Sequence, residues 1–145
     1  MGSPCLFYIQ YFITFTNIFA LIPIYGFISA KNYWGTILMI SMLICSTMKH
    51  LTETKNGLPG KLYSAKSIRN ALFWLRMDRL FAILIIIFSM NLFYNKASKS
   101  IYDILLPMVS FSFFMIGELT NNLIIYAACH SVWHFGVYMS VYQII

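Results

Sequence analysis

Charge is scarce in this chain. Asp, Glu, Lys and Arg make up 10% of its 145 residues, ten of them basic and four acidic. A soluble domain carries about 25%, so the shortage excludes an ordinary water-soluble globule. Cysteine is scarce too. Cys5, Cys45 and Cys129 are odd in number and lie within or beside apolar stretches, which excludes a disulfide framework and makes them small apolar packers. No basic segment opens the chain, and the apolar stretch 5–30 outruns the roughly 7–15 residues of a signal-peptide core. It reads as a retained membrane helix. No myristoylation pattern follows Met1-Gly2, since Leu6 stands where Ser or Thr is required. Internal repeats and low-complexity linkers are also lacking, so residues 1–145 are expected to form one transmembrane helical bundle domain.

What is present is apolar surface, in 60% of residues. A helix needs about 20 apolar residues to cross a bilayer. Five segments meet or approach that length, at 5–30, 33–48, 71–94, 101–119 and 123–145. The expected fold is all-α, a polytopic bundle of about five spans. The short turn Thr120-Asn121-Asn122 makes the last two a helical hairpin. The second helix has no breaker until Asn56-Gly57-Leu58-Pro59-Gly60, which supplies a C-cap glycine and a proline.

The net charge of +6 does not point to nucleic acid, because it is concentrated beside one inter-helix loop. With five spans, that loop shares a side with the N-terminus. Lys49, Lys55, Lys61, Lys66, Arg69, Arg76 and Arg79 fall there, against Lys31, Lys96 and Lys99 on the opposite side. The positive-inside rule places the N-terminus and this loop in the cytoplasm and the C-terminus outside, in an endomembrane or the plasma membrane.

Against this background a few polar residues stand out. Ser46 and His50 lie near the end of the second span, Asp78 near the start of the third, and His130 and His134 in the first half of the fifth. Ionisable groups at membrane depth are costly and usually functional. At about 1.5 Å of rise per residue, His130 is roughly 10 Å inside, and all five residues fall in the cytoplasmic half. One helix more or fewer between them would have put the histidines on opposite sides. His130 and His134 are four residues apart, so their rings share a helix face; Ser46 and His50 repeat the spacing. Three imidazoles and an open position describe a catalytic zinc site, and neutral nitrogen donors favour zinc over magnesium or calcium.

The pattern Ser46-x-x-x-His50, an aspartate in the next helix and His130-x-x-x-His134 in the last resembles the CREST superfamily. That group holds the alkaline ceramidases, the adiponectin and progestin receptor family and myomaker-like proteins. The resemblance implies a shortened version of a seven-helix core. It implies zinc bound by His50, His130 and His134, with Asp78 and Ser46 holding or activating the water on the metal. For some members it implies hydrolysis of lipid amides, so a membrane lipid substrate and the bilayer are the expected partners.

Each residue also has a plainer role. His130 and His134 can be satisfied by backbone carbonyls or by Asn121 and Asn122. His50 can face headgroups, Ser46 can pack helices, and Asp78 lies between Arg76 and Arg79 in what can be an interfacial charge cluster. Three functions follow from different classes. The first is a zinc hydrolase of a lipid amide or ester. The second is a receptor-like or membrane-remodelling protein knitted by structural zinc. The third is a b-type haem protein with His50 opposite His130 or His134, which leaves Ser46, Asp78 and one histidine without a role.

Overall fold

The computed structural model describes residues 4–52 and 67–145, and every regular element among them is helical. The first span is α1 (Pro4–Phe15), a 3₁₀ stretch (Thr16–Ala20) and α2 (Leu21–Ser29) in one continuous run. The change of winding has local causes. Thr16 Oγ1 donates to the Ile13 carbonyl at 2.6 Å, a side-chain bond that competes with the α ladder. Pro23 has no N–H for the carbonyl one turn before it. Tighter winding turns both Thr16 and Asn17 inward, where they are buried.

The chain leaves α2 through a Schellman motif. Asn32 N–H reaches the Phe27 carbonyl at 2.8 Å and Lys31 N–H the Ile28 carbonyl at 3.0 Å, with Lys31 in the left-handed region at φ 54°. Asn32 then caps α3 (Tyr33–Thr52), accepting from Gly35 N at 3.0 Å. The long α4 (Ser67–Asn95) follows, then α5 (Tyr102–Leu119) and α6 (Leu123–Gln143). Asn122 caps α6 by accepting from Ile124 N and Ile125 N, so the expected hairpin of the last two spans is formed. Much of the loop 52–70 that was assigned to the cytoplasm, including Lys55, Lys61 and Lys66, lies outside the described residues.

The first span, α3 and α6 pack together; α4 leans on α3, and α5 on α6. The α5–α6 contact is close because Gly136 faces Ser110: a Cβ at Gly136 would collide with the serine side chain. Small residues at such crossings let helices approach where lipid offers no hydrophobic drive. Two apolar clusters fill the interior. Ile13, Tyr126 and Ala127 form the smaller; Ala20, Ile24, Phe27, Met39, Met42, Ile85, Tyr138 and Val141 form the larger. Along the first span and α6, the buried polar residues Thr16, Asn17, His130 and His134 come between these clusters in sequence.

The outer surface is apolar, with Ile83, Ile86, Ile87 and Met90 of α4 and Leu105, Met108 and Phe111 of α5 exposed. The molecule is an all-α membrane-spanning bundle. Tyr8–Ser29, Tyr33–Thr52 and Tyr102–Leu119 are long and apolar enough to cross a bilayer by composition alone. α4 and α6 have the length, at 29 and 21 residues, but α4 starts with charged residues and α6 carries the histidines.

Candidate metal centre

His50 comes from the last turn of α3 and His130 and His134 from one face of α6. All three are buried, and one ring nitrogen of each lies within 4.8 Å of those of the others. The His50 and His130 rings meet edge to face at 4.8 Å between centroids, His130 and His134 at 4.7 Å, and His50 and His134 at 5.3 Å.

His130 Nε2 and His50 Nε2 are 3.2 Å apart. Two nitrogens each about 2.05 Å from one tetrahedral zinc would be about 3.3 Å apart. The spacing and the donor chemistry therefore fit a zinc ion. The same pair can instead share one proton as a hydrogen bond.

A second layer of polar residues comes from the first span. Thr16 Oγ1 lies 2.8 Å from His134 Nδ1. Gln10 Nε2 donates to the His50 carbonyl at 2.6 Å, in the last turn of α3. The Tyr138 hydroxyl donates to Asn17 Oδ1 at 3.0 Å and also neighbours Ser46. Tyr126 and Tyr138 stand one turn to either side of the pair on α6, with ring centroids 5.2 Å from His130 and 5.9 Å from His134.

Ser46, Asp78, His130 and His134 line one cavity of about 640 Å³ between α3, α4, α5 and α6. This is within the ordinary size of a small-molecule pocket. Met42, Leu72, Leu75, Phe114, Trp133 and Val137 give it apolar walls, while Lys49, Arg79 and Glu118 add charge. Asp78 forms an ion pair with Lys49, N to O 3.8 Å. The expected neighbours Arg76 and Arg79 sit beside it in sequence, but this partner comes from α3. Cys45 and Cys129 are buried free thiols and do not join the histidine group.

Gln10, Thr16, Asn17 and Tyr138 were not singled out from sequence. A signal existed: Gln10, Thr14, Thr16 and Asn17 cluster as polar positions in the middle of an otherwise largely apolar first span. Comparison with protein-family models, curated proteins and solved structures finds no match to this chain.

Proposed function

We propose that this chain is a membrane zinc protein of the CREST kind, in which the cavity beside His50, His130 and His134 admits a lipid for hydrolysis of an amide or ester. One observation carries the reading. Three buried imidazoles from two helices converge, and two of them, His130 and His134, line a cavity together with a carboxylate and a serine. When bound, zinc supplies Lewis acidity, polarising a carbonyl and acidifying water. The chain's own residues do the rest. Asp78 accepts the proton that water gives up, with Lys49 holding its carboxylate from α3. Ser46 is the hydrogen-bond donor for the oxygen that gains charge. The apolar walls hold the lipid body, and the charged rim of Lys49, Arg79 and Glu118 meets its headgroup. The first span, α3 and α6 surround the histidines and limit bulk water. On the positive-inside count the site opens to the cytoplasmic leaflet. A reporter fused after Ile145 then reads non-cytoplasmic; a cytoplasmic reading overturns that assignment.

The decisive experiment pairs zinc content with lipid cleavage. Detergent-purified protein should hold about one zinc per chain and release fatty acid from a panel of ceramides and lipid esters. Asp78→Asn should keep the zinc and lose the cleavage, because an amide keeps the shape without the basicity.

A second reading, non-catalytic with zinc knitting the helices, is favoured by the Lys49–Asp78 ion pair. That pair engages the carboxylate hydrolysis would use. Wild-type protein that holds zinc and cleaves nothing in the panel establishes it. A haem is disfavoured. It uses two histidines and leaves Ser46, Asp78 and the third histidine, whose ring nitrogen stands within 4.8 Å of those of the other two, without a role.

A further inference from the structure

The Thr16 hydroxyl has one proton, and its place can be read from the neighbours. Thr16 Oγ1 lies 2.6 Å from the Ile13 carbonyl oxygen. A carbonyl oxygen only accepts, so the threonine proton is committed to it. The same oxygen lies 2.8 Å from His134 Nδ1. With its proton spent on Ile13, Thr16 meets His134 as an acceptor. The ring must donate, and its proton sits on Nδ1. In a neutral imidazole that leaves the lone pair on Nε2.

We propose that Thr16 is a positioning residue that fixes His134 as the Nδ1–H tautomer and so presents Nε2 for metal. The consequence for affinity rests on the zinc reading above; the tautomer does not. Three features beyond the contact support the assignment. His50 and His130 also face each other through Nε2, so a lone pair on His134 Nε2 makes the donor set uniform. Thr16 and His134 are both buried, so the bond between them is sheltered from bulk water. The 3₁₀ winding at Thr16–Ala20 makes both Thr16 and Asn17 face inward, and 3₁₀ stretches inside longer helices often mark functional positions. Ligating histidines usually give their second ring N–H to such an outer partner, which sets ring orientation and ligand basicity.

The test separates the tautomer from the metal. The chain has three histidines, so selective ¹⁵N labelling gives three ring signals, assigned with His50→Gln and His130→Gln variants. In metal-free wild-type protein the His134 proton is expected on Nδ1, and in Thr16→Val on both nitrogens in exchange. Thr16→Val, which keeps the shape and loses the oxygen, should raise the zinc Kd roughly 10- to 100-fold. Thr16→Ser, which keeps the oxygen, should return it close to wild type. A His134 proton on Nε2 in wild type overturns the proposal, as does an unchanged zinc Kd in Thr16→Val. Equal weakening by Ser and Val assigns the effect to lost packing and also overturns it. If Thr16→Val does not fold, the wild-type ring spectrum still decides the tautomer. Wild-type protein that takes up no zinc sinks the metal reading, and the ¹⁵N spectrum still reads the ring.

Discussion

Where α4 gives way to α5, Lys96 Nζ lies 2.9 Å from both oxygens of Asp103 and 2.9 Å from the carbonyl of Gln143. At the other end of the bundle, His50 and His130 turn the same atom, Nε2, toward each other at 3.2 Å, with His134 beside them. Both ends bring polar groups into an apolar protein, which is costly unless they find partners. The first end solves this with complementary groups. One cation meets one anion, Ser100 N–H adds a bond to Asp103 Oδ2 at 2.8 Å, and the bond to Gln143 ties the α4–α5 connection to the end of α6. Nothing further is required there, and the arrangement is a clamp. The second end gathers three groups of one kind, each able to offer a lone pair. A set of like donors is a poor clamp and a good cradle for a cation. On this contrast, breaking the histidine end should alter ligand binding, and breaking the lysine end should alter stability alone.

The largest effect is expected at the histidines. His130→Ala combined with His134→Ala should reduce zinc from about one per chain to none. It should also abolish any rise in melting temperature on adding zinc, since metal affinity is shared with folding. Metal analysis and thermal unfolding in detergent measure both. A double variant that keeps its zinc removes the contrast altogether.

Next is the clamp. Lys96→Met leaves Asp103, whose side chain is 3% exposed, without its cation, while the lysine itself is 26% exposed. Breaking a fully buried pair costs about 3–5 kcal/mol, and partial exposure of the lysine brings the expectation to about 2–3 kcal/mol. Zinc stoichiometry should not change. Loss of zinc here would show that the two ends are not independent.

A smaller effect is expected between them, at the α5–α6 crossing. Gly136→Ala places a methyl group against Ser110 and should cost about 1–3 kcal/mol by overpacking. Ser110→Gly in the same chain should restore most of it. Failure of that rescue would mean that Gly136 serves some purpose other than close approach.

The two ends were not equally legible in the sequence. Histidine is so rare at membrane depth that His50, His130 and His134 declare themselves, and the four-residue spacing puts two on one face. The helix count then decides whether the third can reach them, so a topological argument sufficed. Thr16, Gln10 and Asn17 escaped notice because hydroxyls and amides pass easily in apolar helices by bonding to their own turn, as Thr14 does to the Gln10 carbonyl at 2.9 Å. Whether such a side chain turns inward depends on winding, and the 3₁₀ stretch is not visible in hydropathy. Asp78 illustrates the opposite difficulty. Its sequence neighbours Arg76 and Arg79 suggest a local cluster, while an ion pair with Lys49 of another helix is revealed only by packing. Lys96 and Asp103 sit seven residues apart, but the chain reverses between α4 and α5, so no single helix face carries the pairing.

The smallest effect has the opposite sign and lies at the end closed by the clamp. Lys31 adopts φ 54° at the α2–α3 corner, a conformation that costs an L-residue about 1–2 kcal/mol and glycine almost nothing. The backbone bonds of the corner are made by Lys31 and Asn32 N–H groups, and glycine retains the N–H. Lys31→Gly should therefore relieve the strain, less roughly 0.4–1 kcal/mol for the greater freedom of glycine in the unfolded chain. The expected net gain is about 0.5–1 kcal/mol, read as a small rise in melting temperature with zinc content unchanged. The substitution also leaves Lys96 and Lys99 as the basic residues counted on that side, which strengthens the positive-inside bias rather than opposing it. A fall in stability would show that the Lys31 side chain, and not only its backbone, helps hold this end of the bundle closed.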